Sequence, residues 1–572
     1  MVVVCQADPR GLAPVPRLRT GEGQTILALQ SGLAATAVRR KGYSFKRLYP
    51  WIWRREWLGK ALDAVLDNSG SETPGVDGKR GSWLRDPSAR ASFIGDLSRE
   101  LRQRYKVSPV LRKYVPKAGG AQRPIGIPTI RDRVVQMALK MVLEPIFEAD
   151  FLPNSNGFRT GRSTLECVLP LYQYGNATHG YGWVIEGDIK GCFDNINHRV
   201  LMNAVRRRIA DRRILRLIWR FLKAPVVERG VRTKTRKGTP QGGVLSPLLA
   251  NVYLNEFDQY WLEHWGKLTE SKRKYWRKRG KASCVLLRYA DDFILTCKGE
   301  RRGVADIVNE IRSFFADQLK LELTPEKTKV VSLDDGFEFL GFRIQRWRLG
   351  HYGRCVRIYP TRRGVARLKV KLHRMLGLRA NADSQTLKIR DVNRVLRGWS
   401  NYYCKVNSEQ QFLAVDYLVD KQVVSWLVRK QRITVREGFR QLRKETVFRL
   451  SSLSSQRISR NLRACWKYRS IPNPCLRKGY ETSIDDGELP LVDAREVHPI
   501  DALYDEIYQI NRLKAFDRDG WRCVDCGERV GLIAHHVQRV PRGKVFDPAL
   551  VHRVENLKTL CARCHRKYRH SV

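Results

Sequence analysis

Asp291 and Asp292 stand side by side in Val285-Leu-Leu-Arg-Tyr-Ala-Asp-Asp-Phe-Ile-Leu-Thr296. Adjacent carboxylates repel, and one tends to stay protonated unless a cation neutralises the pair. Mg²⁺ prefers hard oxygen donors and is commonly held by one or two carboxylates, with substrate phosphates completing its shell. A two-metal site needs a further carboxylate, and Asp188 supplies it at the end of the apolar run Gly182-Trp-Val-Ile-Glu-Gly-Asp188. Such a centre suits phosphoryl chemistry, in which one ion activates a hydroxyl and the other stabilises the leaving phosphate. An Asp-Asp pair alone is most often a turn. A hairpin tip beside a strand that ends in aspartate is a far more specific arrangement.

A second constellation lies at the other end of the chain. Cys523-Val-Asp-Cys526 and Cys561-Ala-Arg-Cys564 are two C-x2-C knuckles with 34 residues between them. Two such pairs read as a tetrahedral structural Zn²⁺ site. Cys561-Ala-Arg-Cys-His565 also fits a c-type haem attachment, but the second knuckle argues for zinc. A zinc ribbon that only binds nucleic acid fits the knuckles as well as an enzyme does. Between them lie Leu532-Ile-Ala-His-His-Val537 and Glu555-Asn556, residue types suited to general-base and metal chemistry.

The elements that must carry these residues follow from patterning. Apolar, β-branched and aromatic residues on both sides of Asp291-Asp292 predict a hairpin, and the run before Asp188 predicts a strand. Strands and helices alternate from about 110 to 345. From about 360 to 470 the pattern is helical and very basic, as in Thr361-Arg-Arg-Gly-Val-Ala-Arg-Leu-Lys-Val-Lys-Leu-His-Arg374. Residues 1 to about 45 read as a loosely ordered leader; Pro472, Pro474 and Asp485-Asp-Gly-Glu488 mark a linker. No internal repeat is present.

Charge narrows the partner. The 572 residues hold 107 Lys plus Arg against 57 Asp plus Glu, a formal +50. So large an excess calls for a polyanion, and nucleic acid is the natural one. At 42% hydrophobic the chain has material for buried cores, which excludes a disordered basic tail. No run approaches the eighteen or so apolar residues of a membrane span. Without a secretory signal, the thirteen cysteines are expected to be reduced, and the expected location is cytoplasmic (nucleoid-associated) or organellar.

Arg288-Tyr-Ala-Asp-Asp-Phe293 with Asp188 resembles the palm of a reverse transcriptase. The resemblance implies that Asp188, Asp291 and Asp292 hold Mg²⁺. It places Lys117 and Arg123 of Val115-Pro-Lys-Ala-Gly-Gly-Ala-Gln-Arg-Pro-Ile-Gly-Ile-Pro128 on the nucleotide triphosphate, and Gln241 of Gly238-Thr-Pro-Gln-Gly-Gly243 beside the incoming dNTP. Lys327 is implied as an acid near the leaving phosphate, and Phe193 as the ring under the sugar that disfavours a 2′-hydroxyl; by spacing alone Phe193 is an ordinary core aromatic. Phe337-Glu-Phe-Leu-Gly-Phe342 resembles the strand pair that grips the primer.

Over about residues 45–475 the set is similar to the group II intron-encoded reverse transcriptase/maturases. Thr73-Pro-Gly-Val-Asp-Gly78, Arg123-Pro-Ile-Gly-Ile-Pro-Thr-Ile-Arg-Asp-Arg133 and Arg397-Gly-Trp-Ser-Asn-Tyr-Tyr403 carry that likeness, the last resembling the thumb segment called domain X. Trp399, Tyr402 and Tyr403 share a helical face, so core packing competes with stacking on RNA bases. The terminal module resembles an HNH endonuclease. That likeness implies His536 as general base, His535 and His565 on a catalytic divalent ion, Asn556 fixing the loop, and Cys523, Cys526, Cys561 and Cys564 on Zn²⁺.

The expected fold is α+β and multidomain: right-hand fingers and palm with a mixed sheet (46–345), a helical thumb (346–430), a basic region and linker (431–504), and a zinc-bound ββα module (505–572). The expected function is an RNA-directed DNA polymerase and maturase that binds its group II intron RNA, nicks target DNA and copies the intron from the nick using dNTPs. An RNA-binding splicing cofactor, or a domesticated reverse transcriptase without mobility, fits the same residues.

Overall fold

Continuous apolar runs, rather than alternating ones, mark the strands beside the aspartates, because the sheet they form is buried on both faces. The computed structural model describes residues 26–116, 122–175, 180–348, 354–377 and 384–444, positions 447 and 450, and short stretches between 515 and 564. Contacts divide the chain into two units, Met1–Arg477 and Lys478–Val572.

In the first unit the strands are β1 (Val110–Pro116), β2 (Gln122–Ile127), β3 (Trp183–Asp188), β4 (Val226–Glu228), β5 (Val231–Thr233) and β6 (Ser283–Tyr289). They continue with β7 (Asp292–Lys298), β8 (Lys329–Ser332), β9 (Phe337–Phe339), β10 (Phe342–Arg348) and β11 (Arg354–Pro360). The fingers sheet has the order β2-β1-β4-β5. It is mixed, since β1 pairs in parallel with β4 while its other pairings are antiparallel. The palm sheet, order β6-β7-β3-β8, is antiparallel throughout. The third sheet is β11-β10-β9.

The palm sheet separates two cores. Ile185, Leu286, Phe293 and Leu295 join the core built on helices Arg55–Leu66, Ile130–Glu148, Ser246–Trp261 and Arg301–Asp317. Val184, Leu287 and Ile294, one residue out of phase, face a second core with Leu368, Leu396, Phe412 and Trp426. Successive side chains of a strand point to opposite faces, so the alternating apolar positions of β6 and β7 supply both cores, while Asp292 at the start of β7 is exposed. Each fully buried Leu or Ile contributes about 1.5–3 kcal/mol. The hydrogen-bonded and van der Waals positions of the central strands are therefore over-determined, and the loops at their ends inherit that rigidity.

Two expectations need correction. The leader does not extend to residue 45: Ile26–Arg39 is a helix whose Leu29, Leu33 and Ala37 are buried in the first core, and Gln30 donates to the Met141 carbonyl at 2.9 Å. Its apolar positions recur at helical spacing, and tertiary burial supplies what a short isolated helix lacks. Cys284 and Cys297, opposite each other in the β6–β7 register with Cα atoms 4.2 Å apart, form a disulfide rather than two thiols.

After β11 the chain turns helical as expected, through Arg362–Met375, Gln385–Tyr403, Glu409–Gln431 and Val435–Lys444. Thr361 caps the first of these, its hydroxyl accepting from the Gly364 amide at 3.1 Å. Leu368 and Leu372 are its buried stripe; Arg362, Arg363, Arg367, Lys369, Lys371 and Arg374 are exposed. In the second unit β12 (Leu532–His536) pairs antiparallel with β13 (Leu557–Cys561). Among the described residues no helix is long and apolar enough to cross a membrane.

Candidate active site

β6 and β7 form the hairpin expected from the sequence, with Tyr289 opposite Asp292 and only Ala290 and Asp291 in the turn. On the other side of β7, Asp188 is the register partner of Asp292. Directly opposed residues have Cβ atoms about 4.5–5.5 Å apart, so strand pairing alone brings these two side chains together. Hard oxygen donors at the solvent-reaching ends of the two central strands fit Mg²⁺.

A buried arginine builds the turn. The Arg288 guanidinium is completely enclosed and pairs bidentately with Asp258 on helix Ser246–Trp261. It also donates to Asn251 Oδ1 at 3.2 Å, Ser155 Oγ at 2.7 Å and the Ala290 carbonyl at 2.7 Å. The last bond fixes the turn residue itself, which has a left-handed φ of +57°. Residues 154–157 clamp the outer edge: the Arg288 amide donates to the Asn154 carbonyl and the Asn156 amide to the Arg288 carbonyl. Gly157 is required there, since a Cβ would lie 2.2 Å from the Ala290 nitrogen. Sequence reasoning missed this network. Its signal was a charged residue inside an apolar strand, which is buried only when paired.

Asp188 is held from the opposite side. Thr324 donates from its amide to the Asp188 carbonyl at 2.8 Å and from its hydroxyl to Asp188 Oδ2 at 2.7 Å. Lys327 Nζ lies 3.1 Å from the same Oδ2. Lys327 thus pairs with Asp188; Thr324 holds the same carboxylate and is a residue that the sequence did not single out. A cavity of about 290 Å³ opens here, lined by Glu186, Asp188, Asp292, Lys327, Lys329 and Glu338 among others. Burial raises the Glu186 carboxyl above its ordinary value, opposed by Lys329 and Arg343.

The nucleotide-side residues also come together. Arg123 Nε donates to Gln241 Oε1 at 3.1 Å, so two residues 118 apart in sequence meet. The Gly238–Gly243 loop is bolted between subdomains: Gly126 N–H of the fingers donates to the Gln241 carbonyl at 2.7 Å. On the palm side the Gly238 amide donates to Ile196 O and the Thr239 amide to Phe193 O, both at 2.8 Å. Gly238 has φ +86°, and a Cβ there would meet Asp194 O at 2.6 Å. Phe193 is 7% exposed, belongs to the first core and meets the Phe158 ring edge-on at 6.2 Å. His198 Nε2 donates to the Gly238 carbonyl at 2.7 Å and its Nδ1 is buried without a partner. Burial pushes its pKa below the usual histidine value, with Lys223 adding to the effect. Lys117 lies outside the described residues.

In the second unit the sulfurs of Cys523, Cys526, Cys561 and Cys564 lie within 4.8 Å of one another, with Cys526 and Cys561 at 3.6 Å. Tetrahedral zinc with bonds of about 2.3 Å sets sulfurs about 3.8 Å apart, so the cluster fits Zn²⁺. Burial raises the Cys523 thiol, but backbone amides of Cys561, Asp525 and Cys526 outweigh it and bring it down to about 7. His535 and His536 belong to β12, opposite Lys558 and Leu557. Asn556 and His565 lie outside the described residues.

Comparison with known proteins agrees with this geometry. Residues 115–344 match the family described as reverse transcriptase (RNA-dependent DNA polymerase), and residues 365–445 match the group II intron, maturase-specific domain. The chain is 28% identical to the group II intron-encoded protein LtrA of Lactococcus lactis subsp. cremoris, over 92% of this chain and 96% of that protein. It is 41% identical to protein YkfC of Escherichia coli (strain K12), over 57% of this chain and 90% of that protein. A 91 kDa protein in the cob intron of Schizosaccharomyces pombe is 29% identical over 72% of this chain and 58% of its own length.

Proposed function

Since the chain belongs to the group II intron-encoded reverse transcriptase/maturases, we propose that it binds its own intron RNA, promotes splicing, and copies the RNA into DNA from a nick cut by its terminal module. The observation that carries the polymerase reading is the register of Asp188 against Asp292, with Lys327 and Thr324 on one side and the Arg288-braced turn on the other.

Asp188, Asp291 and Asp292 would hold Mg²⁺. Bound ions of this kind lower the pKa of a primer 3′-hydroxyl and stabilise the departing pyrophosphate. The chain's own residues do the positioning, which is most of what such chemistry needs. Arg123 and Gln241 receive the dNTP, their mutual hydrogen bond at 3.1 Å giving way to triphosphate and base contacts. Phe193 walls the sugar site, and Lys327 moves from Asp188 to give a proton at the leaving phosphate. Lys117 joins Arg123 on the triphosphate. The exposed cations of helix Arg362–Met375 suit phosphate contact along the intron RNA.

In the terminal module the four cysteines hold Zn²⁺ as a structural staple. His536 acts as the general base for water, His535 and His565 hold a divalent ion at the scissile phosphate of target DNA, and Asn556 fixes the loop. Support for this part is the residue pattern together with the antiparallel β12–β13 pair, which sets the histidine strand beside a strand ending in a zinc cysteine.

Asp291→Asn tests the polymerase reading. It removes one carboxylate charge with little change of shape, and primer extension on an RNA template should be abolished while intron RNA binding stays intact. Retained synthesis removes the catalytic assignment. Splicing of the precursor RNA with and without protein at low Mg²⁺ tests the maturase role; an unresponsive precursor leaves only the polymerase.

A further inference from the structure

The aromatic pair at the end of helix Gln385–Tyr403 has a use other than RNA stacking. Tyr402 Oη donates to the Leu340 carbonyl at 2.8 Å, and Tyr403 Oη donates to the Gly341 carbonyl at 3.2 Å. Leu340 and Gly341 are the two turn residues between β9 and β10, with Phe339 paired to Phe342. Both have left-handed φ, +49° and +79°. A two-residue turn with positive φ at both positions matches the twist of a hairpin, but leucine adopts it at a cost. Thr361 N–H gives the Gly341 carbonyl a second donor at 3.1 Å.

That turn reaches the active site. Leu340, Phe339 and Glu338 line the cavity that Asp188 and Asp292 share. Behind it Phe342, fully buried, stacks on Tyr402 at 5.2 Å and meets Tyr403 edge-on at 5.2 Å. The Tyr403 hydroxyl is seated between two glycines: a Cβ on Gly341 would approach it to 3.2 Å and one on Gly364 to 3.0 Å. Burial pushes the Tyr403 phenol up to about 12, so it remains a donor at any working pH.

We propose that Tyr402 and Tyr403 are positioning residues for polymerisation, their hydroxyls holding the Leu340-Gly341 turn so that the thumb segment sets where the primer 3′ end lies. This rests on the polymerase reading of the same cavity. It assigns the pair to hydrogen bonding from within the fold, in place of base stacking on RNA.

The test uses the full-length protein with a DNA primer annealed to an RNA template, and a precursor transcript carrying this reading frame as the RNA-binding probe. Tyr402→Phe and Tyr403→Phe keep the rings and their packing while removing the donors. In the double variant kcat/KM for primer–template should fall about tenfold, with KM for dNTP, thermal midpoint and transcript affinity unchanged. Gly364→Ala gives a second approach, since the new methyl would lie 3.0 Å from the Tyr403 hydroxyl and displace it while leaving the phenol chemically intact. It should lower extension as Tyr403→Phe does, and add nothing further in a Tyr403→Phe background. Unchanged kcat/KM in the double variant overturns the proposal, as does a parallel loss of transcript affinity or an additive effect of Gly364→Ala. If the wild-type protein does not extend the primer, the polymerase reading falls and takes this one with it.

Discussion

Asp258→Ala isolates the support beneath the catalytic turn. Asp258 and Arg288 are both fully buried, and among the described residues the aspartate is the guanidinium's charged partner, beside the neutral acceptors of Asn251, Ser155 and the Ala290 carbonyl. Removing one member of a buried pair strands the other charge in a low-dielectric interior, a loss of about 3–5 kcal/mol. Against a total stability of roughly 5–15 kcal/mol that is a large fraction. With an m value of about 2–3 kcal/mol/M, the urea midpoint followed by tryptophan fluorescence should drop by about 1–2.5 M. Extension should fall as well, because a guanidinium seeking water no longer holds Ala290. The double variant Asp258→Leu/Arg288→Met discriminates further: a hydrophobic pair of similar volume should recover much of the stability, yet not the extension, since nothing then donates to the Ala290 carbonyl. An Asp258→Ala midpoint within about 0.3 M of wild type, corresponding to under ~1 kcal/mol, would refute the reasoning.

Other consequences are accessible to simple assays. Thr324→Val keeps the shape but removes the donor to Asp188 Oδ2; extension at subsaturating Mg²⁺ should drop about tenfold, with Thr324→Ser restoring it, and an unchanged Mg²⁺ titration would count against an orienting role. His198 is held below the ordinary value of 6.5 by burial, so the unfolded chain takes up the proton first. Its contribution to stability is present above 6.5 and lost as pH falls through that value toward the lower folded one; urea midpoints across this range should lose that component in His198→Gln, and an identical pH slope would exclude it. A chelator, or Cys561→Ser, should release zinc and unfold the terminal module while primer extension persists, since the cysteines belong to the second unit. Loss of extension on chelation of zinc alone would contradict that separation.

Much of the site was legible in the residues themselves. Strand chemistry around Asp188 and Asp291-Asp292 is local: β-branched and aromatic runs broken by a two-residue turn allow few other conformations. The C-x2-C knuckles are equally self-contained, because two thiols three residues apart already have metal-binding spacing. The basic helices after β11 follow from periodicity, and their charge from composition.

What the tertiary structure decided are the partnerships made across long separations. Arg123 meets Gln241 across 118 residues, Arg288 meets Asp258 across a helix–strand contact, and Thr324 reaches back 136 residues to Asp188. Tyr402 and Tyr403 offered two readings on one helical face, and only packing against the β9–β10 turn shows where their hydroxyls go. The helix Ile26–Arg39 was hidden for the same reason: a weakly amphipathic segment becomes a helix when a core is there to bury Leu29 and Leu33. A sequence specifies local conformation through backbone sterics and side-chain periodicity, which act over a few residues. Orientation of a catalytic carboxylate depends on donors brought in by the fold, so it is settled only when distant segments pack.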